Sequence, residues 1–495
     1  MMGRKAGIQE PLFSYHVSLD ARVREDHPLR KIQQIVDFDF IYAEVGHTYG
    51  ENGNVSVPPP VILKMMLLLF LYNVRSEREL MDTIPERLDW LWFLGYTLDD
   101  EIPNHSVLSK ARARWGGDAF RSFFERIVWQ CAEAGLVDGS KLFVDASLID
   151  ANASNNSVVD RHSLQRYLNK RYVELEERLE EKDTPANGRH VSTTDPDAAI
   201  TRQGGSKAKV RYKTHRGVDP QHEVITATTV TAGSVDDGKM LDEVVLQHAR
   251  NTQSSVDTVV ADSKYGTTEN YLNCHDQGIE AHMPCLEKTQ AGTGRREGIF
   301  SRDEFIYAAD ADVYVCPAGQ ELRKRHYQEH RNGYEYQASA KVCAACALRD
   351  QCTRAKGGRT IKRHVRQEDL DRMRVKAQSR QAKRDIKIRQ DLSERSFARS
   401  TRYGFKRARW RRLWRMQIQD YLIAAIQNIM TLLTHRGWKK ALGKAKGIAS
   451  RATHNALLCI MYTCIGFFLR DRSIAVSRSN AKHTHHSAPY STQIG

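Results

Sequence analysis

Leu142-Phe143-Val144-Asp145 and Val259-Val260-Ala261-Asp262 are short apolar runs that each end in an aspartate, and they decide the fold of this chain. Each has the length and composition of a buried β-strand that ends in a polar residue. The second run continues through Ser263-Lys264-Tyr265-Gly266 into a predicted helix that Thr267 caps and Gly278 closes. Ligands of open α/β sheets bind at the carboxyl ends of the strands. The two runs therefore predict an α/β sheet with two carboxylates at its functional edge.

A third acidic candidate, Glu394, lies in a strongly basic helical stretch. Between Gln381 and Arg415 the chain has thirteen lysines and arginines but only three acidic residues, and aromatic side chains are interleaved with them. Cations alternating with flat rings suit phosphates and bases, and a solvated helix face is the alternative. Carboxylates from separate elements can hold the two metal ions that cleave a phosphodiester. The three acids therefore suggest metal-assisted phosphodiester chemistry on nucleic acid.

Size and charge limit the class of protein. At 495 residues the chain exceeds the size at which one hydrophobic core keeps growing, so two or more domains are expected. Its net charge of +15 favours an anionic partner such as DNA, RNA or an acidic membrane. Nine cysteines in so long a chain do not indicate a disulfide scaffold, and no signal peptide is recognised, so we expect a cytoplasmic protein. The longest apolar runs fall short of the roughly 20 residues of a spanning helix, so no membrane segment is predicted.

The periodicity of the sequence predicts three regions. Residues 1–130 read as an all-helical domain that binds DNA or mediates self-association. Residues 131–436 read as a mixed α/β domain with a polar insertion at 157–209 and an irregular, cysteine-containing insertion at 285–363. Residues 437–495 form a basic tail that is expected to be weakly ordered.

Two further elements are predicted inside the second region. A charged stretch at 164–181 is expected to be helical. Two β-rich runs, 210–218 and 223–230, flank Asp219-Pro220-Gln221-His222 and predict a hairpin. Beyond residue 367 the pattern is helical again as far as Leu433.

Four cysteines of the second insertion are candidates for a structural zinc site. They are Cys316, Cys343, Cys346 and Cys352. Cys343-Ala344-Ala345-Cys346 has the two-residue spacing that is usual in tetrathiolate zinc sites. Cys316 and Cys352 are not spaced as a second such pair, so ordinary reduced thiols are the alternative. His215 and His282 read as strand residues rather than as metal ligands.

Several segments resemble known proteins. The run 141–154, which contains Asp145, resembles the first catalytic block of bacterial insertion-sequence DDE transposases. Further segments are similar to the helical amino-terminal domain and to the middle and last catalytic blocks of the same family: 74–80, 92–95, 103–109, 195–198, 212–219, 260–266 and 389–405. The resemblance covers about residues 10–435, and its motifs are specific in combination.

The resemblance implies an RNase H-like catalytic core, metal-dependent cutting at transposon ends, and strand transfer into target DNA by the liberated 3′-hydroxyl. By position in the family's blocks, Asp145, Asp262 and Glu394 are the ligands of Mg²⁺ or Mn²⁺. It also implies binding to terminal inverted repeats and target DNA, a homodimer or higher oligomer in the DNA complex, and association with the bacterial nucleoid. Contact with DNA is expected of five cations: Arg389, Arg402, Lys406, Arg407 and Arg409.

Some positions depart from the family's pattern. Ser393 stands where an apolar residue usually precedes the glutamate. Thr401 stands where a lysine is usual, and the neighbouring Arg402 would supply that cation. Asp150 is a rival to Asp145, and we prefer the residue that directly ends the apolar run. Two alternative functions are a DNA-binding protein without catalysis and a nuclease that cuts without joining.

Overall fold

The computed structural model describes five stretches of the chain, all within one compact unit that ends at His435. They are 17–50, 56–160, 190–202, 207–286 and 297–435. The predicted helix at 164–181 and the tail at 437–495 lie outside these stretches.

The amino-terminal region is helical, as predicted. Its α-helices are α1 (Leu19–Arg22), α2 (Pro28–Ile35), α3 (Phe40–Val45), α4 (Pro59–Leu71), α5 (Glu77–Thr83), α6 (Leu88–Leu94), α7 (Ser106–Trp115) and α8 (Asp118–Glu133). Ten of the thirteen residues of α4 are buried, because a helix that is apolar on every side can only be stable inside a core. Prolines at its start cost no helical hydrogen bond.

The middle of the chain forms a mixed sheet. The strands in order are β1 (Lys141–Asp150), β2 (Val158–Asp160), β3 (His190–Ser192), β4 (Ala199–Thr201), β5 (Lys209–Asp219), β6 (Val224–Ala232), β7 (Thr258–Val260) and β8 (Glu280–His282). From one edge to the other the strands of this sheet are β6, β5, β1, β7 and β8, and β4 also pairs with β5. β2 and β3 form a separate two-stranded sheet. β5 is antiparallel to β1 and β6, whereas β7 and β8 are parallel to β1. The predicted hairpin is therefore confirmed as β5 and β6.

Two helices pack against this sheet, the first mainly on β6 and the second on β8. They are α9 (Leu241–Thr252) and α10 (Thr268–Asp276). The Thr267 hydroxyl accepts the Asn270 N–H at 3.2 Å and Gly278 follows with φ of +72°, so the predicted cap and stop of this helix are confirmed. Apolar residues of β1 and β7, including Leu142 and Val259, pack into the core beneath these helices.

The stretch predicted to be irregular, 285–363, contains an antiparallel sheet, and that prediction is wrong. Its strands are β9 (Ile306–Ala308), β10 (Val313–Val315), β11 (Glu321–Gln328), β12 (Gly333–Ala338) and β13 (Thr360–His364), paired in sequence order, with short helices α11 (Ala340–Ala344) and α12 (Arg349–Cys352). Only one residue of β11, Leu322, is buried. Because β11 is charged along most of its length, it lacks the alternation of apolar and polar residues that identifies a strand in a sequence.

Three helices end the described chain. They are α13 (Gln367–Lys376), α14 (Arg380–Thr401) and α15 (Leu413–Thr434). α15 is buried along most of its length and packs on β6 and α8, where Tyr421 stacks on Phe124 at 5.7 Å between ring centroids. α14 lies against β1, β7 and β8. Across the described stretches, a helix of the length and apolarity needed to cross a bilayer is not found.

Candidate active site

Asp145 and Asp262 occupy matching positions just beyond the paired segments of two adjacent parallel strands, β1 and β7. The expectation that Asp145 ends its strand is wrong, because β1 continues to Asp150 and pairs with β5 over those residues. β1 and β7 pair with Phe143 opposite Val260, two residues before each aspartate. Side chains at matching positions of parallel neighbours leave the sheet on the same side. The charge of Asp262 acts on Asp145 and raises its pKa, which places the two carboxylates within electrostatic reach of each other. The pairing expected from the two apolar runs is therefore observed.

The Asp145 carboxyl loses its proton less readily than a carboxyl in water. Burial raises the pKa of this carboxyl, and the charge of Asp262 raises it further. Three partners oppose this effect: the Arg389 guanidinium at 2.9 Å, the Ala146 N–H at 2.8 Å and the Ser393 hydroxyl. The net effect is still a raised pKa. A dication between the two aspartates would relieve this repulsion, so the donors fit a hard metal ion.

Lys264 is a cation of this site that sequence reasoning missed. Its backbone N–H donates to Asp262 Oδ1 at 2.9 Å, and its side-chain Nζ donates to Asp237 Oδ2 at 2.9 Å. Burial lowers the pKa of Lys264, but Asp237, Asp262 and Asp145 together raise it above its ordinary value. The side chain remains 65% exposed, so a substrate can reach its charge. The signal was its position two residues after the strand-end aspartate.

Tyr265 is buried beside the two aspartates. Its hydroxyl has no hydrogen-bond partner among the described residues. Burial raises its pKa well above the usual range, with further contributions from Asp237, Asp145 and Asp262. The Tyr265 hydroxyl and Arg389 Nε are thus donors of this acidic edge that the fold leaves unsatisfied, which is rare in a protein interior unless a bound group completes them.

One face of α14 attaches this helix to the acidic edge. Asp385, Arg389 and Ser393 follow at intervals of four residues and so lie along one side of the helix. Asp385 is buried and accepts from Lys141 Nζ at 3.0 Å and from His282 Nδ1 at 2.8 Å. These bonds attach the first turns of α14 to β1 and β8, so that Arg389 and Ser393 reach Asp145 one and two turns later. His282 is thus a strand residue, as predicted, and so is His215 in β5.

Glu394 lies on the solvent side of α14, next to Ser393. Its side chain is exposed, and its Oε1 accepts from Gln390 Nε2 at 3.3 Å. No three Asp, Glu, His or Cys side chains of the described stretches stand close enough to hold one metal ion. The structure therefore brings together Asp145 and Asp262 and leaves the Glu394 carboxylate outside that pair. The role of Glu394 as a metal ligand stays a prediction.

Asp150 is separated from this site. It accepts from Lys209 Nζ at 2.7 Å and from Arg211 Nε at 2.8 Å. Burial raises its pKa, but these two cations outweigh it and leave the pKa below its ordinary value. Since Asp150 follows Asp145 by five residues of one strand, the two side chains leave opposite faces of the sheet. The geometry favours Asp145 over its rival.

The five predicted DNA-binding cations fall into two groups. Arg389 is paired with Asp145 and its side chain is 9% exposed. Arg409 donates to Asn73 Oδ1 at 2.6 Å and to the Val74 carbonyl, and burial lowers its pKa to about 10. Both guanidinium groups thus have a partner within the protein. The remaining three are exposed and free to meet an anion in solution: Arg402, Lys406 and Arg407.

The four predicted zinc-binding cysteines line one cavity of the antiparallel sheet formed by β9 to β13, which we call the second sheet. They are Cys316, Cys343, Cys346 and Cys352, around a space of about 420 Å³ that includes solvent at its mouth. Burial raises the pKa of the Cys352 thiol, Arg359 lowers it, and the other three cysteines raise it further. The four sulfurs are therefore near one another, although they are not at metal-bonding distances from a common point.

Two transposase families match separate parts of the chain. The family described as Transposase domain (DUF772) matches residues 17–114, and the one described as Transposase DDE domain matches residues 315–433, which include Glu394. No protein of curated function matches. Among solved structures, a piggyBac transposase synaptic complex with hairpin DNA is similar over 84% of each chain, with 9% identity and a TM-score of 0.25. This similarity is too low to bear on the fold or the site.

Proposed function

Because this chain belongs to the DDE transposases of insertion sequences, as its two domain matches indicate, we propose that it cuts DNA at the ends of its element and joins the freed strand to target DNA. The observation that carries the proposal is the pair of aspartates at matching positions of adjacent parallel strands, with Arg389 against one of them. The RNase H-like character of the core is part of the proposal. The sheet of three antiparallel strands extended by two parallel ones supports it.

Mg²⁺, or Mn²⁺ in its place, is the cofactor of this proposal. Asp145 and Asp262 would hold it, and Glu394 would join them from the neighbouring helix. When bound, such ions neutralise the charge of the reacting phosphate and lower the pKa of the attacking water. The repulsion between the Asp145 and Asp262 carboxylates and the unsatisfied hydroxyl of Tyr265 support a bound group at this edge.

The side chains around the pair would orient the DNA. Arg389 is paired with Asp145 and 9% exposed, so it would hold that carboxylate in place, and Lys264 would supply the exposed charge that meets a phosphate beside Asp262. In cutting, water attacks phosphorus and the 3′-oxygen of the element leaves as a hydroxyl. In joining, that hydroxyl attacks a target phosphate and displaces a second 3′-oxygen. Each step builds negative charge on the non-bridging oxygens of the phosphate under attack, so one set of residues would serve both.

Purified full-length protein, DNA carrying the element's own ends, and Mg²⁺ test the proposal. We expect nicked and joined products from the wild type. Asp145→Asn, Asp262→Asn and Glu394→Gln should each lower both products about 100-fold or more, since lost metal binding removes several kcal/mol of transition-state stabilisation. Asp150→Asn is the matched control, because that residue lies on the opposite face and should leave both products near the wild-type level.

The other outcomes separate the alternative functions. DNA binding without nicking would indicate a binding protein, and nicking without joined product would indicate a nuclease. Metal-dependent activity that survives all three acidic substitutions would show that the ligands are other residues. Assembly of two or more copies on the DNA ends is also part of the proposal, and sedimentation of the protein with and without those ends measures it.

A further inference from the structure

The second sheet has a very small hydrophobic core for its size. Its buried apolar side chains are Phe305, Tyr314, Leu322, Tyr336, Ala338, Cys352 and Ile361. β11 contributes only Leu322 to this core, and its other residues are mostly exposed. Units with so little buried apolar surface are usually held together by disulfides or by a structural metal ion. A staple is therefore expected somewhere in this unit.

The cysteine cavity lies where such a staple would act. Cys316 lies in the turn after β10, Cys343 and Cys346 in and after α11, and Cys352 ends α12. These segments are the ends of the sheet and the connections that cover it. A single ion bound to all four sulfurs would join three separated pieces of chain to one point.

The turn around Cys316 is shaped for a thiolate. The Gln320 N–H donates to Cys316 Sγ at 3.3 Å, and the turn is closed by bonds from the Cys316 N–H to the Gln320 carbonyl at 2.9 Å and from the Gly319 N–H to the Cys316 carbonyl at 2.8 Å. Gly319 has φ of +73°, which permits this tight reversal. A backbone donor aimed at sulfur stabilises negative charge there, as a metal-bound cysteine requires.

The cavity offers thiols and cations but no oxygen anions. Neither a carboxylate nor an imidazole is among the described residues that line it, so its chemistry suits a soft ion rather than Mg²⁺. Four thiolates around one dication carry a net charge of −2, and two arginines in the cavity wall, Arg349 and Arg359, oppose it. This charge balance distinguishes the cavity from an ordinary group of buried thiols.

We propose that Cys316, Cys343, Cys346 and Cys352 bind one zinc ion that holds the second sheet together. Each thiol gives up its proton to solvent as it binds, so four protons are released and no oxidation occurs. The binding requires the sulfurs to move inward, since they do not yet share a bonding point. This site is separate from the acidic edge and does not depend on the reaction proposed there.

Metal analysis of the reduced full-length protein tests the proposal. We expect about one zinc per chain after dialysis, because tetrathiolate sites hold the ion tightly. Cys346→Ser should reduce the zinc content at least fivefold. Cys274→Ser is the control, since Cys274 is a thiol of the main core, away from the cavity, and it should keep the wild-type content. Asp145→Asn should also keep it.

A second measurement needs no variant, so it remains valid if the serine substitution unfolds the sheet. Co²⁺ added to zinc-stripped wild-type protein should give the strong near-ultraviolet and visible bands of tetrahedral cobalt thiolate. Zinc should then displace cobalt and protect four of the nine cysteines from a thiol reagent. The proposal would be overturned if the wild-type protein takes up neither ion. It would also be overturned if Cys346→Ser binds as much zinc as the wild type.

Discussion

At the scale of single residues, the loop after Asp262 contains a position that only glycine fits. Gly266 follows the Asp262-Ser263-Lys264-Tyr265 run, and a Cβ placed there would lie 2.0 Å from the Pro284 carbonyl oxygen. The Leu286 N–H also donates to the Gly266 carbonyl at 3.0 Å. The backbone of the loop that carries Lys264 and Tyr265 is thus pressed against the segment after β8.

We predict that Gly266→Ala lowers the free energy of unfolding by about 1–3 kcal/mol, because the backbone must move to admit the methyl group. Urea denaturation of the full chain measures this change. Gly117→Ala is the control, since a Cβ there meets nothing within 4 Å and φ is an ordinary −83°. If the two substitutions change the free energy of unfolding equally, the close approach of Gly266 to Pro284 is relieved at no cost and the prediction is wrong.

At the scale of elements, a buried ion pair joins the sheet to the two long carboxyl-terminal helices. Arg216 of β5 lies opposite Asp145 in the ladder with β1. Its guanidinium donates to Ser400 Oγ of α14 at 2.8 Å and to Asp420 Oδ1 of α15 at 3.2 Å. Thr214 donates to Asp420 Oδ2 at 2.7 Å. Burial lowers the pKa of Arg216, and Asp420 opposes that effect.

We predict that Asp420→Asn destabilises the protein by about 3–5 kcal/mol, because it leaves the Arg216 charge buried without its partner. Thermal or urea unfolding is the measurement. Asp26→Asn is the control, since the Asp26 pair with Arg24 is 3.8 Å apart and about three-quarters exposed, and pairs of this kind contribute less than about 1 kcal/mol. A loss for Asp420→Asn no larger than that of the control would contradict the prediction.

At the scale of the whole molecule, the excess of positive charge should appear in the salt dependence of DNA binding. Binding weakens with salt in proportion to the phosphates that the protein neutralises, with a slope of about −0.9 per contact in a plot of log K against log salt. Arg402, Lys406 and Arg407 are exposed in the segment that follows α14. Their charges are close together in the chain and close to the helix that reaches Asp145.

We predict that the triple change Arg402→Gln, Lys406→Gln and Arg407→Gln makes this slope less steep by about 3, as three lost phosphate contacts would. Fluorescence anisotropy with duplex DNA at several salt concentrations measures it. A control triple removes the same net charge from exposed residues of the second sheet: Arg323→Gln, Arg325→Gln and Arg331→Gln. Equal slopes for the two triples would show that only total charge matters.

Local patterns were enough to predict several elements of this fold. The apolar runs before Asp145 and Asp262, the hairpin of β5 and β6 and the cap at Thr267 all depend on periodicity or on bonds between near neighbours in the chain. The second sheet was missed because β11 is charged and almost fully exposed. Its pairing with β10 and β12 depends on residues elsewhere in the chain rather than on its own pattern.

By itself, the sequence determined which chemical groups this protein has available. They are two aspartates that follow apolar runs, a basic stretch near residues 381–415 and four cysteines in one insertion. Tertiary structure alone decided how these groups are used. It paired Arg389 with Asp145, enclosed Arg409, turned Asp150 to the other face and left Glu394 on the solvent side of α14. The reason is physical: the pairing and burial of a charge depend on which segments pack together, and segments more than a hundred residues apart leave no local sequence signal of their contact.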